Sequence, residues 1–155
     1  SLIFDTHAHY DDEAFDADRE TLLASMPEHG VGLILDPGCD PETSRRAVEL
    51  ARTYPHAGGR RLAPETCAPF TEDSLDALRA WVREPKVVAI GEIGLDYYWE
   101  QNPPRELQRR VLRDQLALAQ ELDLPVIVHD REAHADSLAI VQEFPAVRGV
   151  FHCFS

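Results

Sequence analysis

Short apolar runs alternate along this chain with longer stretches whose apolar residues recur at helical spacing. That rhythm restricts the fold more than any single motif. Leu2-Ile3-Phe4, Val31 to Leu35, Val87 to Ile90, Pro125 to His129 and Val147 to Phe151 read as strands. They are nearly continuous in apolar residues, the pattern of strands covered on both faces. Between them, helices are expected over Phe15 to His29, Pro41 to Tyr54, Glu72 to Arg83, Pro104 to Leu122 and Ala133 to Glu143. Asp40 and Thr71 are placed to cap the second and third, with Pro41 at a first helical position. Strand and helix in strict turn predict an α/β domain with a parallel sheet. Polar residues recur just past the strand ends, where (β/α)8 TIM barrels keep their chemistry, although alternation alone does not separate a barrel from an open sheet. One stretch breaks the rhythm. A third strand is due between Tyr54 and Thr71, yet residues 57–64 include Gly58-Gly59 and the adjacent Arg60-Arg61. Two positive charges suit a central strand poorly, so a loop or damaged strand is expected there.

With 155 residues and 44% hydrophobic content the chain suffices for one domain with a real core, and no linker divides it. The formal net charge of −13 excludes a basic, phosphate-tracking surface as the main binding mode. It leaves open a nucleic acid substrate approached through bound cations, which reverse the local field. Cys39, Cys67 and Cys153 are odd in number and widely spaced. They form no disulfide framework, and each is expected to be a buried small residue in a cytoplasmic protein. No signal peptide or membrane-spanning run is visible. Because the chain opens on a strand and stops at Phe151-His152-Cys153-Phe154-Ser155, a missing C-terminal part is expected.

The residues fit for chemistry gather at strand ends. Asp5-Thr6-His7-Ala8-His9 follows the first run, and two histidines one residue apart on an extended segment point to the same side. Gly91-Glu92-Ile93-Gly94-Leu95-Asp96 follows the fourth, where Glu92 could bridge two cations or be a solvated loop carboxylate. Asp96 could orient a ligand or a water, or cap the next turn. His129 ends the Val126-Ile127-Val128 run and His152 follows Val150-Phe151. His29, His56 and His134 lie at helix ends or in the doubtful segment and are weaker candidates. Converging histidines His7, His9, His129 and His152 with Glu92 suit two divalent ions, Zn²⁺, Mn²⁺ or Mg²⁺, that activate water. No P-loop, dinucleotide fingerprint or nucleophile elbow offers other machinery.

These pieces together resemble the TatD family of metal-dependent deoxyribonucleases, among the amidohydrolase-like TIM-barrel hydrolases. The matching motifs are Phe4 to His9, Gly91 to Tyr98, Leu124 to His129 with Arg131, and Phe151 to Ser155. The resemblance implies that His7 and His9 hold one metal, that Glu92 bridges, and that His129 and His152 hold the second. It implies hydrolysis of DNA phosphodiester bonds, as a 3′-to-5′ exonuclease, with Glu92 and Asp96 in the catalytic site. It further implies a barrel cut to about its first six βα units, lacking an aspartate of the first metal site. A full-length protein is expected to be a monomer without an obligate protein partner, and the piece alone to bind metal weakly and turn over little. An incomplete barrel should expose apolar surface at Val150-Phe151. The 57–68 stretch departs from the family's apolar strand, which suggests a local slip of reading frame in the coding DNA. Competing expectations are an amidohydrolase acting on a C–N or ester bond, which usually brings a carboxylated lysine as bridge, and a catalytically dead fragment.

Overall fold

The computed structural model describes residues 2–5, 7–37, 41–54, 57–58, 72–83 and 86–155, with the backbone alone at 41–42, 57–58 and 72–73. Strand β1 (Ile3–Asp5) pairs in parallel with β2 (Val31–Leu35), and β2 with β3 (Ala57–Gly58). A second parallel sheet holds β4 (Ile90–Asp96), β5 (Val126–Arg131) and β6 (Gly149–His152). In both sheets the strand order follows the chain. Helices α1 (Arg19–Ser25), α2 (Pro41–Thr53), α3 (Glu72–Trp81), α4 (Arg105–Leu122) and α5 (His134–Gln142) run between strands. The fold is therefore α/β with parallel sheets, as the alternation predicts. Among the described residues no helix is long and apolar enough to cross a membrane.

The fourth strand corrects the sequence reading and matters most for function. Val87 to Ala89 are not strand, and Val88 is exposed; β4 starts at Ile90 and runs through the Gly91–Asp96 motif, all seven residues buried. Two glycines in six residues conceal it from propensity. They are what the pairing requires. A Cβ on Gly91 would meet Ile127 at 2.8 Å, and one on Gly94 would lie 2.8 Å from the His129 backbone nitrogen and closer still to its carbonyl oxygen. Gly94 also sits at φ +140°. Along β4, Ile93 and Leu95 turn into the main apolar core while Glu92 and Asp96, at the alternate positions, turn the other way.

Helix α4 closes that core. Gln108, Val111, Leu112, Gln115, Leu116 and Ala119 recur at three- and four-residue steps and are all buried. Leu112 and Leu116 are fully enclosed, each contributing about 1.5–3 kcal/mol. The helix ends at Asp123, in the left-handed region at φ 52°, where the Asp123 and Leu124 N–H groups return to carbonyls of the last turn. Exposed Arg113–Glu143 contacts at 2.8 Å join α4 to α5 and add little.

The first helix is shorter than its periodicity suggests. A 3-10 turn at Glu13–Phe15 precedes it, capped by Asp12, whose Oδ1 accepts the Ala14 N–H at 2.8 Å. Arg19 then draws in the carbonyls of Tyr10 and Asp12 and pairs with Asp16 at 2.7 Å, which holds residues 10–18 as a loop. Cys153, expected to be buried, is only partly so, in a left-handed residue (φ 51°) beyond β6. Of the doubtful 57–68 stretch, the described pair 57–58 makes a two-residue strand; residues 59–68, the Asp40 and Thr71 caps, His56, Cys39 and Cys67 lie outside the described residues. Val150 and Phe151 are 60% and 42% exposed. With Phe4, Leu35 and Val88 they line an open apolar cavity of about 560 Å³.

Candidate functional site

Register builds the site. His129 on β5 lies opposite Gly94, midway between Glu92 and Asp96, and its other neighbour is His152 on β6. The imidazole therefore reaches both carboxylates, with Nδ1 2.8 Å from Glu92 Oε1 and Nε2 3.1 Å from Asp96 Oδ2. His152 Nε2 approaches the same Glu92 oxygen at 3.3 Å. The His152 ring stacks on His7, with centroids 3.8 Å apart and planes 10° from parallel. Glu92 is 3% exposed. It is no solvated loop carboxylate; its charge is enclosed among three imidazoles.

Asp96 is held on both sides. Its Oδ1 accepts the Tyr98 N–H at 2.9 Å, and its backbone is clamped by buried Gln108, whose amide accepts from Asp96 N at 2.9 Å and donates to Asp96 O at 3.1 Å. Asp96 thus caps the turn at Tyr98 with one oxygen and meets the His129 imidazole with the other. A buried glutamine on the core face of a helix was the signal for this brace, and the sequence reading did not use it.

The His7 and His9 rings meet edge to face, with centroids 5.1 Å apart, and each faces its own group of donors. Ligand atoms of His7, Glu92 and His152 lie within 4.8 Å of one another, and those of His9, Asp11 and Asp36 form a second such group. His9 Nδ1 is 3.7 Å from Asp11 Oδ1, too long for a hydrogen bond and wide enough for an ion between them. Asp11 and Asp36 are 4% and 1% exposed, and each has a buried carboxylate oxygen without a hydrogen-bond partner. Neither aspartate stood out in the sequence reading, although Asp36 directly follows β2, at the strand end where chemistry is expected. Both groups have the nitrogen and oxygen donors that divalent transition metals take, and the orphaned oxygens are what a bound cation would satisfy.

Burial pushes the Asp36 carboxyl up to about 8, the neighbouring Asp11 carboxylate adds to this, and N–H groups of Tyr10 and Asp11 oppose it. The folded chain thus keeps a proton that the unfolded chain has lost above its ordinary value near 4. Without metal, this group makes stability fall as pH rises from about 4 to 8. Asp36→Asn is expected to flatten that slope, measured as urea midpoints between pH 5 and 8.

The weaker candidates lie apart. His134 Nδ1 pairs with buried Asp130 at 3.0 Å, and His29 is exposed after α1. The sequence holds a single lysine, Lys86, whose Nζ donates to carbonyls of Ala51 and Tyr54.

A family model described as TatD related DNase matches residues 4–155. The uncharacterized metal-dependent hydrolase YabD of Bacillus subtilis is 38% identical over 161 residues, covering 99% of this chain and 61% of that protein. The 3′-5′ ssDNA/RNA exonuclease TatD of Cronobacter turicensis is 37% identical over 158 residues, covering 99% and 59%. The crystal structure of YjjV, a TatD homolog from Escherichia coli, superposes with a TM-score of 0.86 at 37% identity, covering 99% of this chain and 60% of that one. The chain thus spans about 60% of the length of these relatives.

Proposed function

Because the chain belongs to the TatD-related DNase family, we propose that its strand ends form a divalent-metal centre for hydrolysing phosphodiester bonds of DNA from the 3′ end. The observation that carries this reading is Glu92, 3% exposed and within 3.3 Å of two imidazole nitrogens. In this proposal residues 1–155 belong to a single (β/α)8 barrel domain, and two ions are held by His7, His9, Glu92, His129 and His152, with Asp11 and Asp36 beside His9. Such ions would supply Lewis-acid stabilisation of the phosphoryl oxygens and a lowered pKa for water. Glu92 supplies the shared negative charge. His152 and His7, stacked, present their nitrogens from one side. Asp96 keeps His129 oriented and is a positioning group, since both its oxygens are engaged in holding protein atoms.

The amidohydrolase alternative fits less well. Its bridging lysine has no counterpart among these 155 residues, where the single lysine donates to the carbonyls of Ala51, in the last turn of α2, and of Tyr54 just beyond it.

The test is metal-dependent hydrolysis of end-labelled single-stranded oligonucleotides. Slow release of mononucleotides from the 3′ end in Mn²⁺ or Zn²⁺, abolished by chelator, is expected. Hydrolysis that persists in chelator, or a metal-loaded chain that cleaves nothing, would overturn the reading.

A further inference from the structure

Beside this centre stands an aromatic platform that the hydrolytic reading leaves unused. Tyr98 and Trp99 follow β4 and remain 50% and 45% exposed. Their rings meet edge to face, with centroids 4.7 Å apart and an interplanar angle of 89°. The Arg131 guanidinium lies 3.9 Å from the Tyr98 centroid and 5.4 Å from that of Trp99. Among the described residues Arg131 makes no ion pair with a carboxylate, and its cation is held against the two rings.

The platform is joined to the metal centre. Arg131 is the register partner of Asp96, and the Tyr98 N–H donates to Asp96 Oδ1, whose second oxygen meets His129. A substrate reacting at Glu92 would therefore have its flanking nucleotide near these rings. The chain's net charge of −13 repels a polyanion, so without bound cations affinity must come from contacts that do not track phosphates. Stacking of a base on an exposed aromatic face is such a contact, and it is open only to bases not covered by a duplex.

We propose that Tyr98, Trp99 and Arg131 form a stacking subsite for the unpaired bases of a single-stranded nucleic acid. The proposal deepens the phosphodiester reading and rests on it. It makes the substrate preference a property of exposed π surface: single strands over duplexes, little dependence on sequence, and a shallow response to salt.

The test is equilibrium binding of a fluorescein-labelled ten-nucleotide single strand in chelator, which separates binding from hydrolysis. The abasic ten-mer and the duplex serve as comparison probes. Trp99→Ala and Tyr98→Ala should each weaken binding of the base-bearing strand about 10-fold. Trp99→Phe should retain most of it, and neither alanine variant should alter binding of the abasic strand. Equal affinity for the abasic and base-bearing strands, unchanged affinity in both alanine variants, or no binding by the unmodified chain would each overturn the subsite. Failure of the nuclease assay with these binding differences intact would instead discard the hydrolytic reading and leave the base-stacking surface standing.

Discussion

Glu92→Gln is expected to reduce divalent-metal affinity by about 100-fold or more and phosphodiester hydrolysis by about 10³-fold, with the fold retained. The amide is nearly isosteric, so packing between β4 and β5 should survive. What disappears is the one negative charge that His129 and His152 share, at 2.8 Å and 3.3 Å. A neutral amide cannot bridge two cations, and its NH₂ would face an imidazole nitrogen or leave one unsatisfied. Without metal the substitution should be neutral or stabilising, because a carboxylate 3% exposed is expensive to keep out of water. Loss of metal affinity together with an unchanged or raised melting temperature is therefore the expected pairing, read by isothermal titration and thermal melts. A fall in both together would make Glu92 a structural ion-pair residue.

Gly94→Ala should act through the backbone, with a destabilisation of about 2–5 kcal/mol in urea titration. Overpacking alone costs about 1–3 kcal/mol, and the strained φ adds about 1–2 kcal/mol. The added methyl would fall on the His129 backbone, which is central-strand atoms and cannot swing aside as a side-chain end can. Relief would push β5 away from β4, taking His129 from between Glu92 and Asp96. Gly30→Ala is the control. Gly30 has φ +85° but nothing within 4 Å of its new Cβ, so only the conformational cost of about 1 kcal/mol should appear. Equal losses in the two variants would mean that close strand approach at Gly94 is not what positions the site.

Much of this was legible because periodicity reports burial. The apolar run at 126–128 and the stripe on α4 each fell where expected, since each has one solution for its apolar face. The 31–35 run is a strand as expected but is not covered on both faces, because Leu33 is 54% exposed. The β4 motif was misplaced for the opposite reason. Its glycines and carboxylates read as loop chemistry when taken residue by residue. The strand exists because β5 comes close enough to need glycine, and that proximity is a tertiary fact absent from local propensity. The aspartates beside His9 were equally hidden: alternation puts His7 and His9 on one side, with ring centroids 5.1 Å apart, but the buried Asp11 and Asp36 come from the next loop and from the end of β2. Conversely, the exposure of Val150 and Phe151 was legible, because two large apolar residues at the end of the described sheet have little beside them to cover them.

The account turns on Glu92 as the anionic centre shared by the divalent ions proposed for His7, His9, His129 and His152. Anomalous diffraction from crystals grown with Mn²⁺ or Zn²⁺ tests it most directly. A peak about 2.0–2.3 Å from a Glu92 carboxylate oxygen and a histidine nitrogen is the predicted result. Metal-loaded crystals with Glu92 still hydrogen-bonded to His129 and no peak beside it would contradict the account.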